Sequence, residues 1–284
     1  MRNRPVKLLV SSRLSYTLSK PIDFIFQVHA AKSPTQTVGS ETFLISGNPP
    51  LQTFEALGSL NRVVRTQLAP GENSIEYQAE VDVALRQYDP NAVREFDFGD
   101  LPPETLVYLL PSRFCPSDLF NELAEQQFGG MPRGFLRALA ISDWVHDSIA
   151  YVASSTGPHS TAADAYQQRQ GVCRDFAHLA ISVCRAACIP ARYVSVYADG
   201  LTPPDFHAVV EAYLQSPDGG AWFTLDPTHM SSVDAVVRIA AGRDAADVAF
   251  AWTQDNCDST SPQISVSAPG RRDTSRTTQA VVGV

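Results

Sequence analysis

The stretch from Gln170 to Val194, "QGVCRDFAHLAISVCRAACIPARYV", limits the architecture of this chain more than any other. Phe176, Leu179, Ala180, Val183, Cys184 and Ala187 recur at i, i+3, i+4, i+7, i+8 and i+11, the spacing of one face of an α-helix. Gly171 lies just before the pattern and Pro190 ends it, so the spacing predicts a helix whose first turn begins at or beside Cys173. That helix sorts three cysteines. Cys173 sits where free backbone N–H groups and the positive end of the macrodipole favour a thiolate, the nucleophilic form. Cys184 belongs to the apolar stripe and reads as a small core residue. Cys188 follows in the last turns; pairing it with Cys184 around a metal would need a second Cys or His pair at ligand spacing, and none accompanies them. Neither a metal nor a cofactor is expected.

The segments on either side differ in period. Residues 1–100 alternate as strands do, in Phe24, Phe26 and Val28 and more plainly in Ile75, Tyr77, Ala79, Val81 and Val83. "APGEN" at 69–73 separates "RVVRTQL" from "SIEYQAEVDV" and predicts a hairpin with a Pro-Gly turn. From Pro102 to residue 150 the texture is helical: Pro103-Glu104 suits a short helix start, Ser117 suits a cap, and Phe135, Leu136, Leu139 and Val145 recur at helical spacing. Short apolar runs return at 192–197, 207–214 and 221–226. The stretch from Ala268 is rich in Ser, Thr, Arg and Gly and reads as disordered. The expected organisation is a β-rich domain over 1–100, a helical segment with an α+β core over 101–267, and a disordered tail over 268–284.

A thiolate nucleophile needs a base, and the base an orienting group. "DFHAVVEAYL" places His207 at the head of a strand, and "AWFTLDPTHM" ends a second strand at Asp226, with Pro227 turning the chain away. Joined by "QSPDGG", two such strands pair antiparallel, so the start of the first lies near the end of the second. His207 and Asp226 then become cross-strand neighbours.

In order and wording these segments resemble the transglutaminase-like superfamily, of papain-type fold. "GVCRDFAHLAISVCRAACIPARYVSVY" is similar to that family's nucleophile segment, "DFHAVVEAYL" to its His segment and "WFTLDPTH" to its Asp segment, with 34 residues from Cys to His and 19 from His to Asp. The resemblance covers roughly residues 140–230, and the β-rich region is similar to the N-terminal extension of bacterial members. It implies a nucleophile helix packed on an antiparallel sheet, with Cys173 as nucleophile, His207 as base and Asp226 as orienting group. It implies acyl transfer through a thioester: most simply an amidase or peptidase, alternatively a glutamine transferase forming isopeptide links, or a binding scaffold that kept the fold. Cys188 stands where the family helix carries Gly before Ile-Pro.

The net charge of −8 and the absence of any Lys/Arg run argue against nucleic acid or an anionic membrane as partner and leave a small molecule or another protein; the resemblance implies a peptide or protein substrate. An odd number of cysteines, with an apolar run of only Leu8 to Val10 near the start, reads as reduced thiols in the cytoplasm.

Other candidates read as structural. His178 lies some 140° around the helix from Cys173, too far to serve as its base. Trp144 carries an indole of the kind some animal members use for the oxyanion, yet its spacing from Leu136, Leu139 and Ile141 places it in a core. Asp175 suits the first helical turn. His229 could line the site, and Tyr166 and Arg169 could shape the cleft. His29, His146, His159, Cys115 and Cys257 carry no pattern. No residue pattern marks the second oxyanion donor.

Overall fold

The period-two pattern of the first hundred residues becomes two antiparallel sheets. The computed structural model describes residues 5–56, 60–269, 277 and 279–283. The N-terminal part runs through β1 (Val6–Leu18), β2 (Ile22–Phe26), β3 (Gln36–Ile45), β4 (Gln52–Glu55), β5 (Arg62–Leu68), β6 (Gly71–Val83) and the short β7 (Gln87–Tyr88). After several 3-10 turns come α1 (Asn121–Phe128), α2 (Phe135–Ser148), β8 (Ala150–Tyr151), α3 (Ala162–Gln168), β9 (Gln170–Gly171) and α4 (Cys173–Ala186). Strands β10 (Ala191–Ala198), β11 (Phe206–Ser216), β12 (Gly219–Leu225) and β13 (Val236–Gly242) follow, then β14 (Ala251–Thr253), β15 (Asp258–Ser259), β16 (Gln263–Ser267) and β17 (Ala280–Val281). The α+β class is as expected.

The hairpin expected around "APGEN" does not form. β5 pairs with β2 and β4, whereas β6 pairs with β1 and β3, so Ala69-Pro70 carries the chain from one sheet to the other. Length decides this. β1 and β6 match over their full extent, from Val6↔Val83 to Leu18↔Gly71, a ladder that the seven-residue β5 could not supply. The apolar faces of the two sheets then share a core that includes Val10, Phe24, Phe26, Val64, Ile75 and Tyr77.

The sheets cross the expected division between 1–100 and 101–267. β14 extends the sheet of β2, and β15 and β16 both pair with β1, so the sandwich is completed by strands that lie after the core in sequence. Within the tail expected to be disordered, β17 pairs with β7, Val282 bridges Phe223, and Ala280, Val281 and Val282 are buried. "AVV" is a short apolar run inside a polar tail, and docking it covers Phe223 and Tyr88. Residues 270–276, 278 and 284 of that tail lie outside the described residues.

The core sheet has the order β12-β11-β10-β13, all antiparallel. α4 packs on β10 and β11 and is flanked by α1, α2 and α3. The single apolar face read from sequence is therefore only part of its burial: from Asp175 to Arg185 every residue is buried. Its buried polar side chains find partners inside, His178 through Nε2 alone. Arg185 donates to the carbonyls of Ala191 and Leu110, each at 3.0 Å, and to that of Arg243, tying three loops to the helix. The helix stops at Ala186, and Cys188 lies outside it, exposed and left-handed at φ 61°. The N–H of Ile189 returns to the carbonyl of Cys184 at 2.9 Å, closing the helix end around that residue. Cys188 thus occupies a cap that favours glycine, and it does not share the packing face with Cys184.

The sandwich and the core are bonded to each other. Tyr197 Oη donates to the carbonyl of Val28 at 2.7 Å and lies 3.0 Å from Ser12 Oγ, while the side chain of Gln36 accepts from the N–H of Arg238 and donates to its carbonyl. Among the described residues no helix is long and apolar enough to cross a membrane.

Candidate active site

Cys173 is the first residue of α4, as the spacing predicted, and its main-chain N–H belongs to the unpaired first turn. Three features fix that helix start. Asp175 Oδ2 accepts the N–H of Val172 at 2.9 Å and the hydroxyl of Thr156 at 2.5 Å; Asp175 Oδ1 accepts Arg174 Nη2 at 3.2 Å. Val172 has no side-chain acceptor, so Asp175 alone carries the side-chain cap. Gly171 lets this carboxylate approach, since a Cβ there would lie 2.7 Å from Cβ of Asp175. Asp175 is wholly buried and structural, as read.

His207 is the second residue of β11, opposite Val196 of β10, and Asp226 follows the last residue of β12. The β11–β12 register pairs Val210 with Leu225 and Leu214 with Ala221, which sets Asp226 opposite Val209 and two residues off His207. The pair is therefore a diagonal one, a register that the sequence left open. After Leu225 the chain leaves the ladder at Pro227, and Asp226 reaches across to place Oδ2 3.0 Å from Nε2 of His207.

Asp226 is held from both sides. Its Oδ1 accepts the N–H and hydroxyl of Thr228, at 2.9 and 2.7 Å, and its Oδ2 accepts the N–H and hydroxyl of Ser231, both at 2.9 Å. The bond to Thr228 N–H is an Asx turn, so the turn-forming role common for Asp before Pro coexists with the contact to His207. Burial works to raise its pKa; the attraction and hydrogen bond of His207 and the bonds from Thr228 and Ser231 overcome this and hold the carboxyl well below its ordinary range. Burial likewise works against a charged His207, but Asp226 and the nearby thiol of Cys173 push the imidazole up to about 10. With Nε2 engaged by Asp226, Nδ1 is left for Cys173. The thiol of Cys173 is a hydrogen-bonding neighbour of the imidazole.

Cys173 and His207 open into a cleft of about 700 Å³. Tyr193, Asp205 and Phe206 line it from the core, and Tyr16 and Trp252 line it from the sandwich. Phe206 stacks on Phe250 at 3.8 Å, giving an apolar side, and Arg113 and Arg174 give a cationic one.

Of the other candidates, His178 is buried, accepts the N–H of Ala245 at 3.2 Å and stacks on Phe114, away from the base position. His229 turns to Asp143 (2.9 Å) and stacks on His146 (3.9 Å between centroids), outside the cleft. Trp144 packs among Phe128 and Tyr166, and Arg169 covers Tyr166, so these residues shape the helical layer and do not line the cleft. His159, unassigned from sequence, is on the cleft wall. Cys115 and Cys184 are buried, and burial pushes both thiols up to about 12. All five cysteines are free. Sequence reasoning missed Thr228 and Ser231 as supports of Asp226, although the polar run "THMSS" directly after it is the kind of donor supply a buried carboxylate needs.

A central helix beginning with cysteine, packed on an antiparallel sheet that carries a His–Asp pair, is a papain-type α+β architecture. The comparisons narrow that class: residues 121–227 match the transglutaminase-like superfamily and residues 6–104 the bacterial transglutaminase N-terminal domain. The chain belongs to the transglutaminase-like superfamily. The crystal structure of a proposed cysteine protease from Cytophaga hutchinsonii is similar over 98% of both chains, with 34% identity and a TM-score of 0.92. An uncharacterized protein of Mycobacterium leprae is 36% identical over 116 residues, 39% of this chain and 41% of that protein. A protein-glutamine gamma-glutamyltransferase of Pseudomonas aeruginosa is 31% identical over 164 residues, 52% of this chain and 23% of that protein. The chain thus matches less than half the length of these two curated relatives.

Proposed function

We propose that the protein is a cysteine-dependent acyl-transfer enzyme that hydrolyses amide or isopeptide bonds of a peptide or protein substrate. The observation that carries this reading is the placement of Cys173 at the first turn of α4, in one cleft with an imidazole whose far nitrogen is fixed by a buried carboxylate. Near neutral pH the raised proton affinity of His207 keeps the imidazole protonated, the partner that a thiolate nucleophile needs. The thiolate sulfur of Cys173 attacks the carbonyl carbon, and the carbonyl π electrons move to oxygen beside the N–H of Cys173. As the intermediate collapses, Nδ1 of His207 gives its proton to the leaving amine and a thioester remains. Water then enters, loses a proton to His207 and releases the acid. Asp226 holds one tautomer and the imidazolium charge throughout.

The likeness to the Cytophaga hutchinsonii protein over nearly the whole chain supports the hydrolytic form. A second reading, glutamine transfer to an amine, draws on the Pseudomonas aeruginosa relative and uses the same three residues. Incubation with benzyloxycarbonyl-Gln-Gly, with and without hydroxylamine, separates the two: ammonia release without hydroxamate supports hydrolysis, and hydroxamate formation supports transfer. No acyl transfer to either acceptor, with Cys173→Ala indistinguishable from the natural protein, would remove both.

A further inference from the structure

The oxyanion of such a reaction can take the N–H of Cys173 as one donor, and the indole of Trp144 is directed into the helical layer. Tyr151 is a neighbour of Cys173. Its position is set by a short parallel ladder: β8 lies beside β9, with Tyr151 in register with Gly171, two residues before the nucleophile. The N–H of Ala150 donates to the carbonyl of Arg169 and the N–H of Val152 to that of Gly171, both at 2.9 Å, so Tyr151 is bracketed on either side by bonds to the segment that delivers Cys173. The ring rests against Phe176, with centroids 5.8 Å apart. From there its hydroxyl is a hydrogen-bonding neighbour of both the main-chain N–H and the thiol of Cys173. The residue is 45% exposed, which leaves the ring free to turn.

We propose that Tyr151 is the second oxyanion donor, standing at the Cys173 N–H in the resting enzyme and turning, when a carbonyl oxygen takes that place, to donate its O–H to the oxyanion. This rests on the acyl-transfer reading of Cys173. The electron balance is simple: the sulfur lone pair forms the C–S bond, the carbonyl π pair becomes the oxyanion, and the phenol keeps its proton while donating. Collapse returns that pair to the C=O bond as the amine leaves with the proton of His207. Burial, with the adjacent Cys173, pushes the phenol up to about 12, so the donor stays protonated across the physiological range. A phenol on a two-residue ladder next to the nucleophile loop moves with that loop, which keeps donor and nucleophile in fixed relation.

The test compares two probes on Tyr151→Phe. Acylation by p-nitrophenyl acetate passes through an oxyanion, whereas alkylation by iodoacetamide displaces iodide from carbon and forms none. Acylation is expected to fall about 100-fold, the usual loss for one oxyanion donor, with alkylation changed less than about threefold. Intact alkylation also reports an intact fold and nucleophile. Equal losses with both probes, or acylation unchanged or faster, would overturn the proposal; the last would make Tyr151 a cover over the thiol. A second variant carries trifluorotyrosine at 151, whose phenol ionises at lower pH while keeping its shape. Its acylation is expected to decline as pH rises through that ionisation, and a profile parallel to the natural protein's would overturn the proposal. The parallel Cys173→Ser protein separates the two levels of reading: acylation independent of Cys173 sinks the enzyme reading, while acylation dependent on Cys173 but indifferent to Tyr151 sinks this inference alone.

Discussion

Replacing Asp226 by Asn keeps the shape of the site and reverses half of its hydrogen bonding. Oδ1 can go on accepting from Thr228, but the amide NH₂ then meets three donors that Oδ2 had accepted: Nε2 of His207 and the N–H and hydroxyl of Ser231. The Ser231 hydroxyl can rotate to accept. Its N–H cannot, and one stranded, buried donor costs about 1 to 3 kcal/mol. His207 answers the amide by moving its proton to Nδ1 and accepting at Nε2, which removes the lone pair that Cys173 needs. In a serine-protease triad the same exchange lowers kcat by about 10⁴, so acylation by p-nitrophenyl acetate is expected to fall by 10³ to 10⁴. Guanidinium unfolding is expected to show a loss of about 2 kcal/mol with an unchanged m value. A pH signature accompanies this. His207 binds its proton more tightly folded than unfolded, so its contribution is fully present below about pH 6.5 and is lost as pH rises toward 10. Asp226→Asn should abolish that slope. Acylation within about threefold of the natural protein, or an unaltered slope between pH 7 and 10, would refute the orienting role of the carboxylate.

Further expectations follow from sites around this pair. Burial first, and then the charge of Arg62, lower His29 from 6.5 to about 4, so the unfolded chain binds the extra proton between these values and stability falls as pH drops through them. The full span amounts to about 3 kcal/mol, and His29→Leu should flatten the acid limb of a stability-pH curve. Asp175→Ala strands the N–H of Val172 and the hydroxyl of Thr156; a loss of about 2 kcal/mol is expected, with iodoacetamide labelling of Cys173 slowed as the helix start loosens. Cys188→Gly relieves the left-handed cap and should raise stability by about 1 kcal/mol in thermal unfolding.

Much of the site was legible in sequence because its parts are local. Helical spacing placed Cys173 at the start of α4, and two apolar runs with a Pro-Asp-Gly-Gly turn placed His207 near Asp226. The diagonal offset was not legible, since apolar alternation fixes which face a residue takes and leaves the register to the turn, here the tight Pro217-Asp218 connection. The burial of α4 on all sides was hidden for another reason. Arg185 and His178 read as a polar face until the loops and rings that satisfy them are in place.

The chain's period-two and helical patterns alone determined an α+β fold with a β-rich start, and its ordered Cys, His and Asp segments marked one site. Tertiary structure decided which strands meet. It sent β5 and β6 to different sheets, returned β14 through β16 to complete the sandwich, docked β17 on the core, and set Tyr151 beside the nucleophile. The physical reason is common to all four. Periodicity is a property of neighbours along the chain, whereas the choice of partner depends on the length and burial of segments far apart in sequence, and only the folded chain brings those into competition.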